Sequence, residues 1–296
     1  MNVSQLGEVM AVGSAAIWAV AVILFRLSGK NVVPLGLNLF KNCLGLSLFI
    51  LTMLLAGQTI LRAAPWQDYA LLLASGVLGM AISDTLFLHS LNLIGAGPAS
   101  IVSGLYSPFI IGLSLAFLGE RLNNRQVVGV ACILLAVVLI GYQKPDKSLP
   151  PGALLWGIVL GALAQLCTAA GIVIMKPMLG RVPLLWATTV RVFGAVPVLA
   201  LILAFHPGRK EILSPLLEKK NWRTMVPASV LGTYLSIVIW MGGLKYTQAS
   251  TAAALSQTNA AFAFILAAVF LKEKVTAAKV VAVALTLLGA LLMSSL

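Results

Sequence analysis

The chain has 296 residues, of which 60% are hydrophobic and only 9% charged, and its mean hydropathy is +1.02. Soluble domains carry about 25% charged residues, so this composition excludes a water-soluble globule and predicts a polytopic membrane protein with no room for a separate soluble domain. The formal net charge of +12 is scattered over short loops and helix ends without a basic stripe, which argues against a nucleic-acid partner and for cations facing lipid phosphates.

A hydrocarbon core about 30 Å thick needs about 20 apolar residues at 1.5 Å rise. Runs of that order predict helices over residues 8–26, 34–56, 68–90, 98–118, 125–142, 152–174, 183–205, 225–243, 250–270 and 276–294. The first is expected to stay in the mature protein: no Lys or Arg precedes it, and Glu8 stands where a signal peptide has its basic region. Most connectors are short and carry Gly or Pro, as at 29–34, 95–98 and 144–151, where a helix does not readily continue. The longest, 206–223, is mixed in charge and expected to be solvated. Pro98 and Pro108 predict bends in span 4, for which span 9 has no matching prolines.

Val77-Leu78-Gly79 recurs as Val230-Leu231-Gly232, an offset of 153 residues, and the similarity runs on to Leu139 and Leu292. Residues 1–146 and 147–296 would then each hold five spans. An odd number of crossings turns the second copy upside down, so the expected fold class is all-α, with ten transmembrane helices as two inverted five-helix repeats and a transport path between them.

Charges inside such spans are expensive and usually face protein or a wet cavity. Lys41 in span 2 and Arg191 in span 7 occupy equivalent positions, roughly 10 to 12 Å into their helices. Asp84 lies roughly 9 Å from the end of span 3, on the same face as Lys41, so the two are placed to meet. That pair reads either as a structural ion bridge or as a site where Asp84 exchanges its partner for a proton or a substrate ammonium; the equivalent position in the second half is Ile237. Arg191 has no intramembrane acid left to pair with and is a candidate for holding a carboxylate or another anion. His89, one turn past Asp84, is either a proton relay with it or a solvated interfacial histidine. Ser83 and Ser236 correspond across the repeat, as do Ser103 and Ser256, and Tyr106 and Asn259. Ser100, Ser103 and Tyr106 share one side of span 4, and Ser256 and Asn259 one side of span 9. Tyr106, Gln257 and Asn259 are expected in the cavity, whereas the serines suit helix packing somewhat better than a cavity role. Trp18, Trp156, Trp186 and Trp240 fit core, interface belt or cavity alike.

The histidines are two, His89 and His206, and neither HExxH, GxSxG nor GxxxxGK[ST] occurs, which speaks against an enzyme and against ATP as fuel. Cys43, Cys132 and Cys167 stand singly inside predicted helices. They suggest neither a metal site nor a disulfide, and no cofactor is expected.

In each half span 4 runs into an acid beside a base, Phe117-Leu118-Gly119-Glu120-Arg121 and Phe270-Leu271-Lys272-Glu273-Lys274. Together with the duplicated five-span plan, this resembles the drug/metabolite transporter superfamily, and within it the ten-helix EamA family that includes YddG-type amino-acid exporters. The resemblance implies spans 1–4 and 6–9 around a central cavity with spans 5 and 10 outside. It also implies alternating access without an ATPase subunit, a bacterial inner-membrane location and cytoplasmic termini. Charge counting points the other way. The terminal side holds Arg62, Arg121, Arg125, Lys176, Arg181 and Lys245, the opposite side twice as many cations. Glu120 and Glu273 are expected to form helix-end salt bridges with Arg121 and Lys274 rather than to touch substrate. Spans 1 and 6 lack the mid-helix carboxylate of the small multidrug branch, and have Trp18 and Gln165 among their more polar residues. The expected function is a secondary transporter exporting small polar metabolites, most readily amino acids, with proton coupling left open. The alternatives are an exporter of other metabolites or drugs, or a non-transporting sensor or assembly subunit.

Overall fold

The computed structural model describes residues 3–118, 123–142, 152–178, 181–246 and 255–293, and these contain helices and no strand. The helices are α1 (Val3–Ser28), α2 (Pro34–Leu55), α3 (Trp66–Ile94), and α4, built of Ala96–Val102, a 3-10 turn at Ser103–Leu105 and Tyr106–Leu118. They continue with α5 (Asn124–Gly141), α6 (Ala153–Met175) and α7 (Leu184–Phe205). Next comes α8, composed of Lys219–Ser229, Val230–Leu235 and Ser236–Tyr246, then α9 (Asn259–Phe270) and α10 (Ala277–Met293). Eight of the described helices are long and apolar enough to cross a bilayer, and the last two are shorter apolar helices. The Glu120-Arg121 pair and the 144–151 seam lie outside the described residues.

Helix starts follow local chemistry. Pro34 opens α2, where its missing N–H is no loss and its φ is already helical. Asn123 and Gln126 cap the start of α5 reciprocally. Pro98 falls in the first turn of α4 and does not interrupt it. Pro108 does: its ring crowds the carbonyl four residues back, at Gly104, and the helix tightens to 3-10 geometry at Ser103–Leu105.

Span 9 lacks matching prolines, yet it carries a matching break. A turn at Gln257-Thr258 separates helical Leu255-Ser256 from α9, at the repeat offset from the break in α4. The cause is not proline. The Thr258 backbone N–H and hydroxyl both donate to the Leu255 carbonyl, at 3.1 and 2.6 Å, and Ala260 and Ala261 bond three residues back instead of four.

The connector 206–223 is mostly exposed, as expected, and is largely helical. Arg209–Leu217 forms a short helix, and α8 begins at Lys219. Ile212 and Leu216 are one turn apart and buried, with Ile212 against Gly36 of α2, an apolar stripe hidden among charged neighbours.

Both Val77–Ile82 in α3 and Val230–Leu235 in α8 are π-helical, 153 residues apart. A π turn leaves carbonyls without their usual intrahelical partners. In α3 they are met by the Asn38 amide, which donates to Met80 O at 2.9 Å and Ala81 O at 3.0 Å and also lies 2.8 Å from Thr85 Oγ1. Such bulges are frequent at functional sites.

A serine seam joins α3 to α6. Ser75, Ser83 and Ser90 donate to the carbonyls of Gly171, Ala164 and Gly157 at 2.6, 2.8 and 2.6 Å, at two-turn intervals on both helices. Glycines let the backbones close in: a Cβ on Gly171 would lie 2.9 Å from Ser75 O. Across the molecule, Ser14 of α1 donates to Ser236 O of α8 at 2.8 Å. Helices α5 and α10 pack on each other, with a Cβ on Gly289 placed 2.7 Å from Gly129 O. Only 22% of α5 is buried, against 56% of α4.

The expected Glu273–Lys274 bridge is replaced by another contact. The Glu273 carboxylate accepts from the Ala96 and Gly97 N–H groups at 2.7 and 3.1 Å, capping the start of α4, where the helix dipole favours an anion. Arg26 stands within electrostatic reach of Glu273 and donates to Asn92 O at 2.8 Å. The ends of α1, α3 and α9 and the start of α4 are thereby tied together at one end of the bundle.

Candidate functional site

Between α1–α4 on one side and α6–α9 on the other lies a cavity of about 220 Å³, to which α5 and α10 contribute nothing. Its lining contains Lys41, Asp84, Ser103, Tyr106, Arg191, Ser256, Gln257 and Asn259. All the residues assigned to substrate from sequence therefore come together around one cavity.

Lys41 Nζ and Asp84 Oδ2 are 2.5 Å apart, with side chains 4% and 20% exposed. The ammonium is buried in the contact while the carboxylate keeps an open face. Arg191 is placed differently. It is 4% exposed, its Nε has no hydrogen-bond partner, and its side chain makes no hydrogen bond or ion pair among the described residues. Asp84 and Tyr106 are near enough to interact with it electrostatically. Glycines make room for it: a Cβ on Gly76 would collide with the Arg191 carbonyl, and one on Gly79, inside the π turn, would sit 3.2 Å from its guanidinium. The first bulge of α3 thus receives the arginine of α7.

Four buried side-chain polar atoms lack a partner among the described residues: Asn42 Oδ1, Arg191 Nε, Thr233 Oγ1 and Gln257 Oε1. The last three belong to cavity residues. Gln257 has its Nε2 committed to Ser107 Oγ at 2.8 Å, leaving its carbonyl oxygen as an unused acceptor. Buried polar groups are normally satisfied, and here a guanidinium donor and an amide acceptor are left open in one cavity.

Several sequence expectations resolve here. Ser100 is outside the lining and packs, its hydroxyl donating to Gly97 O at 2.7 Å. Ser83 belongs to the α3–α6 seam while also touching the cavity, and Ser103 donates to Ala99 O at 2.9 Å and faces Gln165 Nε2 at 3.5 Å. His89 does not line this cavity. Five residues past Asp84 amount to roughly 140° around the helix at 3.6 residues per turn, and His89 instead faces a lateral crevice. Of the tryptophans, Trp18 and Trp240 line the cavity, Trp156 is 63% exposed, and Trp186 is core, its Nε1 bonded to Ile60 O at 2.9 Å. Sequence reasoning did not assign Thr233 or Thr168 to the cavity. For Thr233 a signal was present, since it follows the repeated Val-Leu-Gly that marks the second bulge.

The chain is similar to two uncharacterized transporters of Archaeoglobus fulgidus, one 23% identical over 273 residues covering 92% of each chain, the other 24% identical over 296 residues covering 98% of each. A solved crystal structure of a protein superposes with a TM-score of 0.68 at 20% identity, covering 95% of this chain and 96% of that one, and so shares the fold. The model of the EamA-like transporter family matches twice, over residues 5–142 and 155–295. The protein is therefore a multi-pass membrane transporter and belongs to the EamA-like transporter family.

Proposed function

We propose that the protein is a secondary carrier for small carboxylate-bearing metabolites, amino acids foremost, working by alternating access in the manner of the YddG-type exporters. The carrying observation is Arg191, a buried guanidinium facing the central cavity that makes no direct ion pair or hydrogen bond among the described residues and feels Asp84 only at longer range. A planar guanidinium offers paired N–H donors that match a carboxylate. Gln257 Oε1 and the open face of Asp84 supply acceptors for the ammonium, while Trp18 and Trp240 give the side chain apolar walls. Asp84 is also the group where proton coupling would enter. His89 lies on another face of α3 and lines a different crevice, so this reading gives it no part in that step.

In this reading the halves are inverted five-helix repeats that rock about the cavity. What supports it is the double family match, the π turns and helix breaks recurring at one offset, and the pairing of α3 with α6 and α1 with α8. The direction proposed is export across a bacterial inner membrane with cytoplasmic termini. The test is a proteoliposome screen of amino acids, other carboxylates and cationic drugs, with wild type and Arg191→Ala. Transport of carboxylates that is lost in the variant supports the proposal. Transport confined to cations, or carboxylate transport untouched by the substitution, refutes it. A reporter fused to the C-terminus tests the orientation.

A further inference from the structure

Helix α3 has a second working face. Behind the π turn that carries Gly79 and Asp84 toward the cavity, Ala81, Ile82, Thr85, Leu86 and His89 turn outward to form one wall of a crevice of about 500 Å³. The other walls are the start of α2, the end of α7 and the helix Arg209–Leu217. Its volume lies within the roughly 300 to 1,000 Å³ usual for small-molecule sites. Ile82 and Ile202, on facing helices, are 39% and 47% exposed, so the slot opens sideways, toward lipid.

The slot is lined mostly by apolar side chains, and at the end of α7 His206 and Glu211 both lie beside Gly208; His89 also lines it. The Gly208 N–H donates to His206 Nδ1 at 3.1 Å, which leaves the proton of the neutral ring on Nε2 as a free donor. Gly208 also keeps Glu211 close: a Cβ there would be 3.2 Å from the carboxylate and 3.5 Å from the imidazole. Arg209 and Lys210 flank the mouth in sequence without lining the slot, with Arg209 donating to Ala204 O at the end of α7. Donors and cations for a phosphate, a carboxylate for an ammonium, and an apolar slot between them complement a zwitterionic amphiphile.

We propose that this lateral crevice is a specific phospholipid site, seating one acyl chain in the slot and an ethanolamine-type headgroup at the His206–Glu211 end. Its occupant touches the back of the same bulged helix that presents Asp84 to the cavity, so the bilayer bears directly on the transport site.

Detergent-purified full-length protein, incubated with phosphatidylethanolamine, with phosphatidylglycerol of the same chains, or with soluble glycerophosphoethanolamine, is examined by native mass spectrometry. One ethanolamine lipid is expected to be retained in preference to the glycerol lipid, and the soluble headgroup is not expected to bind. Ile202→Trp fills the slot from an exposed, lipid-facing position and lowers retention about tenfold; Leu86→Trp does the same from the opposite wall. Glu211→Gln keeps lipid binding but removes the headgroup preference. Equal retention by wild type and both tryptophan variants, equal affinity for the two lipids in wild type, or binding of the soluble headgroup alone each overturns the proposal.

Discussion

Neutralising Asp84 separates a structural bridge from a working site. Asp84→Asn leaves the Lys41 ammonium, 4% exposed, without the carboxylate now 2.5 Å away. Breaking a buried ion pair on one side costs about 3–5 kcal/mol. Asp84 keeps 20% exposure toward the cavity, so water recovers part of that loss and the expected cost lies near the lower end, about 3 kcal/mol. Lys41→Met strands a carboxylate that can still reach cavity water or take up a proton, and costs less. The double variant Lys41→Met/Asp84→Leu removes both charges and is expected to return close to wild-type stability, because apolar replacements of buried pairs are often neutral or better. Stability is read as the fraction folded along a denaturing-detergent titration, followed by tryptophan fluorescence, and each variant is then reconstituted for transport.

On the proposed reading the double variant is folded and inactive. A double variant that is both folded and fully active reduces the pair to a bridge and takes Lys41 and Asp84 out of the site. An Asp84→Asn variant as stable as wild type refutes the premise that the contact is a buried charge pair.

Gly79→Val pushes a branched side chain into the space of the Arg191 guanidinium, 3.2 Å from a Cβ at that position; KM for carboxylate substrates is expected to rise by about tenfold, the equivalent of about 1.4 kcal/mol, with folding retained, and an unchanged KM removes the bulge from the site. Glu273→Gln weakens two charge-assisted bonds to the start of α4, each worth about 1.5–3 kcal/mol. It is expected to loosen that end of the bundle, seen as faster thiol labelling of a cysteine placed at Ser100 in a background lacking native cysteines; identical labelling rates refute the latch. The seam between α3 and α6 is tested by Ser75→Ala, Ser83→Ala and Ser90→Ala, each expected to cost about 0.6 kcal/mol in the same detergent titration, and a triple variant as stable as wild type means that glycine packing alone holds the helices.

Much of the architecture could be read in the chain because lipid imposes a simple rule: a span must be apolar and about 20 residues long. Span edges fell within a few residues for most helices, while α8 begins earlier than expected because its first turns are polar and interfacial. The meeting of Lys41 with Asp84 followed from rise per residue alone. Angular position did not follow from depth, as His89 shows: it is close to Asp84 along the helix but turned onto another face. The π turns were hidden because no side chain announces them, although the repeated Val-Leu-Gly stood at both. Glu273 was misjudged because its neighbour in sequence, Lys274, was visible, whereas the Ala96 and Gly97 amides that it caps are 177 and 176 residues away.

The duplicated features are mechanical and the unduplicated ones are chemical. The π turns at Val77–Ile82 and Val230–Leu235, and the helix breaks at Ser103–Leu105 and Gln257-Thr258, recur at one offset. They are places where a helix lacks its regular hydrogen-bond ladder and bends at modest cost. The charges do not recur as a set. Lys41 and Arg191 occupy equivalent positions, seven residues into α2 and α7, yet only Lys41 is in direct contact with an acid, because the counterpart of Asp84 is Ile237. A carrier built from two alike halves needs matching hinges so that both sides of the membrane are reached by similar motions. Its ligand, if it has a carboxylate at one end and an ammonium at the other, needs a site with two different ends. On the proposed reading, leaving one of two equivalent cations without a direct ion pair would give the two-repeat frame a polar axis, and that axis would set which way round the substrate lies.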